Sequence, residues 1–206
     1  MIVYLSQHIA FFLSKKNIID KEQEEICAYG AEIALIYLSG FFSFLIIATF
    51  LNQVFNTILF LFAYCILRGC AGGYHASSHL KCYLASLSMY MVFLWCISYL
   101  VPLLNNAVLI SALFIGNILL FFTAPSQNLI NPKSEKELSL NRRKLLRWIL
   151  IYNLVVLALL LTELNSNVPF TRNIVFIIIY ALVSVAILSL FNFIKVKLSY
   201  RNNLVE

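Results

Sequence analysis

Residues 173–194 read Asn-Ile-Val-Phe-Ile-Ile-Ile-Tyr-Ala-Leu-Val-Ser-Val-Ala-Ile-Leu-Ser-Leu-Phe-Asn-Phe-Ile and contain no charged side chain. A helix needs about 20 predominantly apolar residues to cross a bilayer core, so this run is long enough to span a membrane. The whole chain is 62% hydrophobic and 12% charged, with a mean hydropathy of +0.88. Soluble domains carry about 25% charged residues, so this chain is predicted to be an integral membrane protein.

Working outward from that run, the chain contains six apolar segments, at residues 33–51, 53–67, 83–101, 106–123, 148–162 and 173–194. Continuous apolar runs predict helices rather than the alternating strands of a barrel. The predicted fold is therefore an all-α integral membrane protein, a bundle of about six transmembrane helices. The second and fifth segments are short and contain Asn56 and Asn153. Either they span by including flanking residues, or they are helices buried against the others.

The placement of the basic residues predicts the topology. If the N-terminus is cytoplasmic and six spans follow, every lysine and arginine except Arg172 lies on the cytoplasmic side. Such asymmetry is the positive-inside signal, and it places the C-terminus in the cytoplasm as well. The net charge of +6 therefore indicates topology and attraction to anionic membrane lipid, and no nucleic-acid partner is expected.

These segments predict one membrane domain, residues 1–206. Its parts are an N-terminal interfacial segment at 1–29, spans one and two at 33–67, a polar segment at 68–82, spans three and four at 83–123, a basic cytoplasmic loop at 124–147, spans five and six at 148–194, and a cytoplasmic tail at 195–206.

Two features of the N-terminal region stand out. Leu5, Ile9, Phe12 and Leu13 repeat at helical spacing and predict a helix that lies in the membrane interface. Glu32 borders apolar residues at the start of the first span. It is either a functional carboxylate or a helix-end carboxylate that reaches the interface, and the sequence leaves both open.

The polar segment Arg68-Gly-Cys-Ala-Gly-Gly-Tyr-His-Ala-Ser-Ser-His-Leu-Lys-Cys82 holds two of the five cysteines and two of the three histidines. Gly72-Gly73 permits positive φ and predicts a turn. Ser77 or Ser78 is suited to cap the next helix. Cys82 would then lie about one turn inside that helix, where the partial positive charge of the helix N-terminus favours a thiolate.

Three interpretations of this segment remain open from the residues alone. One is a thiol dyad of Cys82 with a histidine. Spacing slightly prefers His79 as that histidine, because His75 lies about 10 Å away along an unbroken helix. Another is a zinc site, although the spacing lacks a paired Cys-x-x-Cys knuckle. Its ligands would come from Cys65, Cys70, His75, His79 and Cys82. The third is an interfacial turn without chemistry.

The cysteines outside a dyad need no special role. An odd number of cysteines, with Cys27, Cys70 and Cys82 on the reducing side, argues against a disulfide framework. Cys65 and Cys96 lie within apolar spans, where a lone thiol usually serves packing.

At these residues the chain resembles the AgrB family, accessory gene regulator protein B of Gram-positive bacteria. The resemblance rests mainly on the Arg68–Cys82 segment. Weaker support comes from the length, the six-segment pattern, Tyr29-Gly30 with Glu32, and Ala124-Pro125 before a basic loop. It implies a multi-pass protein of the cell membrane, a homodimer whose active site faces the cytoplasm, with no cofactor and no metal.

The resemblance also implies the activity and its residues. It implies a cysteine endopeptidase that cleaves a quorum-sensing propeptide, AgrD, through an acyl-enzyme thioester and promotes cyclisation to a thiolactone or lactone. The family's essential histidine and cysteine match His75 and Cys82. Its important arginine and glycine match Arg68 and Gly73, which with Glu32 would support the substrate, the oxyanion or the structure. His79 matches no catalytic position, so the resemblance reverses the preference drawn from spacing.

A different class of function is a non-enzymatic membrane transporter or export component for peptides. Such a protein usually carries a polar pathway through several spans. Apart from Glu32 and Glu163, which lie near span ends, the spans contain no acidic residue. The sequence therefore favours the enzyme over the transporter.

Overall fold

A computed structural model describes residues 2–72, 79–127, 134–165 and 169–202. These residues contain helices and turns and no strand, so the predicted all-α fold is confirmed. The seven α-helices are α1 (Ile2–Lys15), α2 (Glu24–Phe50), α3 (Val54–Ala71), α4 (His79–Trp95), α5 (Asn106–Thr123), α6 (Glu135–Asn165) and α7 (Pro169–Asn202). A 3₁₀ turn at Lys21–Gln23 precedes α2, and a π-helical turn at Cys96–Leu100 continues α4.

Six of these helices are long and apolar enough to cross a membrane, as predicted. They are the helical stretches Lys21–Phe50, Val54–Ala71, Lys81–Leu103, Asn106–Thr123, Glu135–Glu163 and Thr171–Leu198. The two short segments gain their length from flanking polar residues, at the C-terminal end of α3 and the N-terminal end of α6. Basic side chains at helix ends permit this because their charged heads reach the interface while their stems stay on apolar surface.

The start of α6 differs from the predicted loop at 124–147. Residues from Glu135 onward are helical, so the first part of α6 carries most of the basic charge of that segment. The cause is a capping box. The backbone N–H of Ser134 donates to Glu137 Oε2 (3.0 Å), and the backbone N–H of Glu137 donates to Ser134 Oγ (3.3 Å). Two backbone donors at the helix start are thereby satisfied reciprocally.

The chain divides into two compact units, residues 1–52 and 53–206. In the first unit α1 packs against α2, and the buried side chains of α1 are the small residues Ser6 and Ala10. The predicted helix through Leu5, Ile9 and Phe12 is present, with these three side chains exposed. Its position in the membrane interface and the single membrane domain stay predictions.

In the second unit α7 is the most buried membrane-crossing helix, with 61% of its apolar stretch buried against 28% for α3. It packs against α3, α5 and α6. An aromatic core joins α3, α4 and α7, and its members are Phe60, Tyr90, Phe93, Phe176 and Tyr180. Phe60 and Phe93 stack at its centre, with ring centroids 4.4 Å apart and an interplanar angle of 16°.

The hydroxyl groups of Tyr90, Tyr152 and Tyr180 all have hydrogen-bond partners. Tyr90 Oη lies 2.8 Å from Thr57 Oγ1, which joins α4 to α3. Tyr180 Oη donates to the Met89 carbonyl (2.8 Å), and Tyr152 Oη donates to the Ala63 carbonyl (3.0 Å). Each bond satisfies a polar atom that would otherwise lie unpaired among apolar side chains.

Asn153, which interrupts the fifth apolar segment, forms a cross-helix amide pair. Asn117 Nδ2 of α5 donates to Asn153 Oδ1 of α6 (2.8 Å), and Asn153 Nδ2 donates to Asn117 Oδ1 (3.3 Å). Asn153 Nδ2 also donates to the Ile149 carbonyl (2.7 Å). Polar side chains inside membrane bundles commonly join helices in this way.

Candidate active site

The first part of the candidate site is the C-terminal end of α3. The helix ends at Ala71. The next residue, Gly72, donates its backbone N–H to the Arg68 carbonyl (3.1 Å) and has φ 68° and ψ −148°. Nearly only glycine adopts this conformation. The turn predicted at Gly72-Gly73 is therefore confirmed at Gly72, while Gly73 lies outside the described residues.

Arg68 lies in the last turn of α3 and stabilises this end. Its Nη1 donates to the carbonyl of Gly72 (2.9 Å), one of the acceptors that a helix leaves unpaired at its C-terminus. A cation at this position is also favoured by the helix dipole. Arg68 thus holds the residue from which the polar segment continues, a contact that the sequence did not predict.

A second segment, Ala124–Gln127, lies against the end of α3. The backbone N–H of Ser126 donates to the Ala71 carbonyl (3.1 Å). A Cβ atom at Gly72 would lie 3.2 Å from the Ser126 carbonyl oxygen. Contact between the two backbones therefore favours glycine at position 72 in addition to its φ value.

The Ala124–Gln127 segment is in turn attached to α7. Ser189 Oγ donates to the Thr123 carbonyl (3.0 Å), and Asn192 Nδ2 donates to the Gln127 carbonyl (2.7 Å). Both side chains are buried. Hydrogen bonds thus connect α7 to this segment and its preceding residue, and the segment to Ala71, which lies in the first part of the polar segment.

Sequence reasoning did not identify Ser126, Ser189 or Asn192 as parts of the site. A signal was present for two of them, because Ser189 and Asn192 are polar residues inside the apolar run at 173–194. For Ser126 no local signal exists. Its contact with Ala71 and Gly72 joins residues that are far apart in the chain.

Cys82 lies in the first turn of α4, which begins at His79, as the sequence predicts. Its thiol is free and its side chain is partly exposed. Its carbonyl accepts from Ser86 Oγ (3.0 Å). The backbone N–H groups of a first helical turn lack intrahelical acceptors, so the thiol lies at the positive end of the α4 dipole.

Other predicted site residues fall outside the described part of the chain. Residues 73–78 are not described, and they include Gly73, His75 and both candidate capping serines. For His79 only the backbone is described. The pairing of a histidine with Cys82 therefore stays a prediction.

Glu32 lies two turns inside α2, in the unit formed by residues 1–52, and is partly buried. A carboxylate at the helix end would lie in the first turn, and Glu32 lies further along the helix. Its functional role stays a prediction.

The zinc interpretation depends on histidines whose side chains are not described. Within ranges 2–72, 79–127, 134–165 and 169–202, no group of three His, Cys, Asp or Glu side chains is suited to hold a metal ion. Cys65 is exposed on α3, and Cys96 is buried.

The fold and the described site define a class of protein. It is a multi-pass α-helical membrane protein with a free cysteine in the first turn of a membrane-crossing helix. The family model for AgrB, "Accessory gene regulator B", matches residues 6–195. The chain belongs to this family.

Two curated proteins illustrate the similarity. A "Putative AgrB-like protein" from Clostridium acetobutylicum is 31% identical over 103 residues, which cover 50% of this chain and 48% of that protein. The chain thus spans about half the length of this relative. An "Accessory gene regulator protein B" from Staphylococcus haemolyticus is 27% identical over 161 residues, covering 76% of this chain and 81% of that protein. No solved structure matches the chain.

Family membership supports a role in the bacterial accessory gene regulator system of quorum sensing. The six apolar helices suggest that the chain acts as a multi-pass membrane protein.

Proposed function

We propose that this chain is a membrane cysteine endopeptidase that cleaves an AgrD-like propeptide and promotes its cyclisation. The observation that carries the proposal is the free, partly exposed Cys82 thiol in the first turn of α4, in a member of the AgrB family. A reactive cysteine needs a thiolate, and the positive end of a helix dipole stabilises one.

The cleavage step uses His75 and Cys82. The His75 imidazole accepts the thiol proton, and the thiolate adds to the carbonyl carbon at the cleavage site. As the tetrahedral intermediate collapses, the C–N bond breaks and the imidazolium gives its proton to the departing amine. The N-terminal part of the propeptide is left as a thioester on Cys82.

Cyclisation completes the reaction. A thiol or hydroxyl of the bound peptide gives its proton to His75 and attacks the thioester carbonyl. The Cys82 thiolate leaves, and the peptide closes as a thiolactone or a lactone. Exchange of one thioester for another is nearly balanced, so exclusion of water favours ring closure over hydrolysis.

The supporting roles concern position. Arg68 and Ser126 fix the Gly72 end of α3 through the hydrogen bonds to Gly72 and Ala71. Residues 73–82 of the polar segment, which include His75, follow directly in the chain. Gly73 would permit close approach of backbone and substrate, and the Arg68 guanidinium would bind an anionic group of the substrate or the oxyanion.

Co-expression of the full chain with its propeptide tests the proposal. The parent chain and His79→Ala should both cleave the propeptide, whereas His75→Ala and Cys82→Ala should not. His79→Ala is the matched control, because it removes the same side chain from the neighbouring histidine. Cys82→Ser should also lose activity, since a serine hydroxyl is a far weaker nucleophile than a thiolate at neutral pH.

The trapped intermediate provides a second measurement. Mass spectrometry of the parent chain mixed with propeptide should detect a Cys82 adduct that hydroxylamine releases. Full cleavage by Cys82→Ala would contradict the proposal. Movement of peptide across the membrane that survives Cys82→Ser without cleavage would favour the transporter instead.

A further inference from the structure

An open cavity of about 730 Å³ lies where α5 ends and α6 begins, beside the last part of the apolar stretch of α7. This volume is within the range of ligand sites, about 300–1,000 Å³. Its lining includes Phe121 and Phe122 of α5, Ser139 and Arg142 of α6, and Phe193 of α7. All of them belong to the unit formed by residues 53–206.

The apolar part of the cavity consists of three aromatic rings. Phe121, Phe122 and Phe193 are 51%, 74% and 44% exposed, and the first two rings meet edge to face with centroids 5.5 Å apart. They lie in the last turns of membrane-crossing stretches, next to the point at which α7 becomes basic. Contact with these rings favours a ligand that carries an apolar chain.

The polar part of the cavity is cationic. The Arg142 guanidinium carbon lies 5.6 Å from the Phe121 ring centroid, and no carboxylate within the described ranges forms an ion pair with it. Residues 135–147 carry five basic side chains and two acidic ones. One of the acidic side chains, Glu137, accepts from the Ser134 N–H. Lys195 and Lys197 follow on α7, so the surroundings favour an anion.

These two parts together specify an amphiphile with an anionic head. We propose that the cavity binds an anionic phospholipid, with its phosphate at the Arg142 guanidinium and an acyl chain along Phe121, Phe122 and Phe193. Basic pockets between membrane helices are suited to such headgroups. A soluble phosphate or an acidic peptide would pair with the guanidinium but has no acyl chain to lie along the three rings. The cavity is also lined by the Ala124–Gln127 segment. Lipid binding is nevertheless measured directly, so the proposal does not rest on the proposed enzymatic activity.

Binding can be measured on the full chain in neutral detergent micelles. Phosphatidylglycerol and phosphatidylcholine with identical acyl chains are added, and bound lipid is counted by native mass spectrometry. The parent chain should retain phosphatidylglycerol in preference. Arg142→Gln should weaken that binding at least about tenfold, because the variant loses a charge-assisted hydrogen bond to the phosphate. Arg143→Gln is the matched control, with the same charge change at the exposed neighbouring residue, and should bind like the parent.

The remaining measurements distinguish a bound lipid from diffuse charge attraction, a soluble phosphate and an acidic peptide. Phe193→Ala should weaken lipid binding while leaving net charge unchanged. Equal loss in Arg142→Gln and Arg143→Gln would overturn the proposal in favour of diffuse charge attraction. Protection against thermal unfolding by glycerol 3-phosphate alone, or displacement of the lipid by a polyglutamate peptide, would also overturn it. Arg142 is exposed, so its replacement should leave folding intact, and an unchanged thermal transition without lipid verifies this.

Discussion

The aromatic core and the end of α3 lie in the same compact unit, but different forces hold them. The core is closed by stacked rings such as Phe60 and Phe93, and its few polar atoms are all paired. The end of α3 is held by hydrogen bonds to its backbone carbonyls, which the Ser126 N–H and the Arg68 side chain donate. The segment that contains Ser126 is itself bonded to α7 through Asn192. Packing therefore fixes the interior, and directional bonds fix the position of the polar segment.

This difference predicts how the two regions respond to substitution. Loss of a ring in the core should lower the free energy of unfolding while each folded molecule stays active. Loss of a bond at the end of α3 should have a smaller effect on unfolding and a larger effect on cleavage, because catalysis depends on position to within about 1 Å.

The largest effect on stability is expected for Phe93→Ala. Phe93 is fully buried and stacks on Phe60, so its truncation removes packing from three helices. The expected loss is about 3 kcal/mol, the lower end of the range for buried phenylalanine, because lipid is already apolar and most of the loss is packing. Reversible unfolding in mixed micelles measures it.

Cleavage per folded molecule is the second measurement for Phe93→Ala, and it should stay close to that of the parent. Phe122→Ala, at a ring that is 74% exposed, serves as the control for unfolding. Abolished cleavage by a folded Phe93→Ala protein would show that the core also positions the site, and the comparison would fail.

A smaller loss of stability and a larger loss of cleavage are expected for Gly72→Ala. At φ 68° and ψ −148° an alanine is strained, and its Cβ would lie 3.2 Å from the Ser126 carbonyl oxygen. The expected cost is about 2 kcal/mol, in the range for a strained backbone position. Since the part of the polar segment that contains His75 follows this residue, cleavage of the propeptide should fall at least about 100-fold, which corresponds to misplacement by about 1 Å.

Gly69→Ala is the matched control for Gly72→Ala. Gly69 is helical, and nothing lies within 4 Å of a Cβ placed there. Alanine is a better helix former than glycine by about 0.5–1 kcal/mol, so this variant should be as stable as the parent or more so. Equal activity of the two variants would mean that the cap at Gly72 does not position the site.

Much of the fold could be predicted because span length is a local property. Runs such as 173–194 need only apolar composition, and the six spans are present. The ends of the helices were harder to predict from apolar runs, because a capping interaction can begin a helix outside the run. The Ser134-x-x-Glu137 pattern is a readable capping box, and its use would have placed the start of α6 correctly.

The candidate site could be predicted only in part. Cys82 in a first helical turn and the positive φ at Gly72 follow from short patterns in the sequence. The contact of Ser126 with Ala71 depends on which helix ends meet after the bundle packs, and no local pattern encodes that. Asn192 could be predicted in part. Its polarity within an apolar run indicated a role, but the sequence did not show which carbonyl accepts its hydrogen bond.

The smallest effect on stability is expected for Asn192→Ala. The substitution removes the 2.7 Å hydrogen bond to the Gln127 carbonyl and so releases one attachment of the Ala124–Gln127 segment to α7. Hydrogen bonds between membrane helices contribute about 0.6 kcal/mol on average, with a maximum of about 1.7, so the expected loss is about 1 kcal/mol. Cleavage per folded molecule should nevertheless decrease, since this segment holds Ala71. Asn192→Leu should behave like Asn192→Ala because its side chain has no hydrogen-bond donor either. Asn173→Ala, at the other end of α7, should leave cleavage unchanged, and if it reduces cleavage as much as Asn192→Ala, the attachment of Ala124–Gln127 to α7 has no specific part in positioning the site.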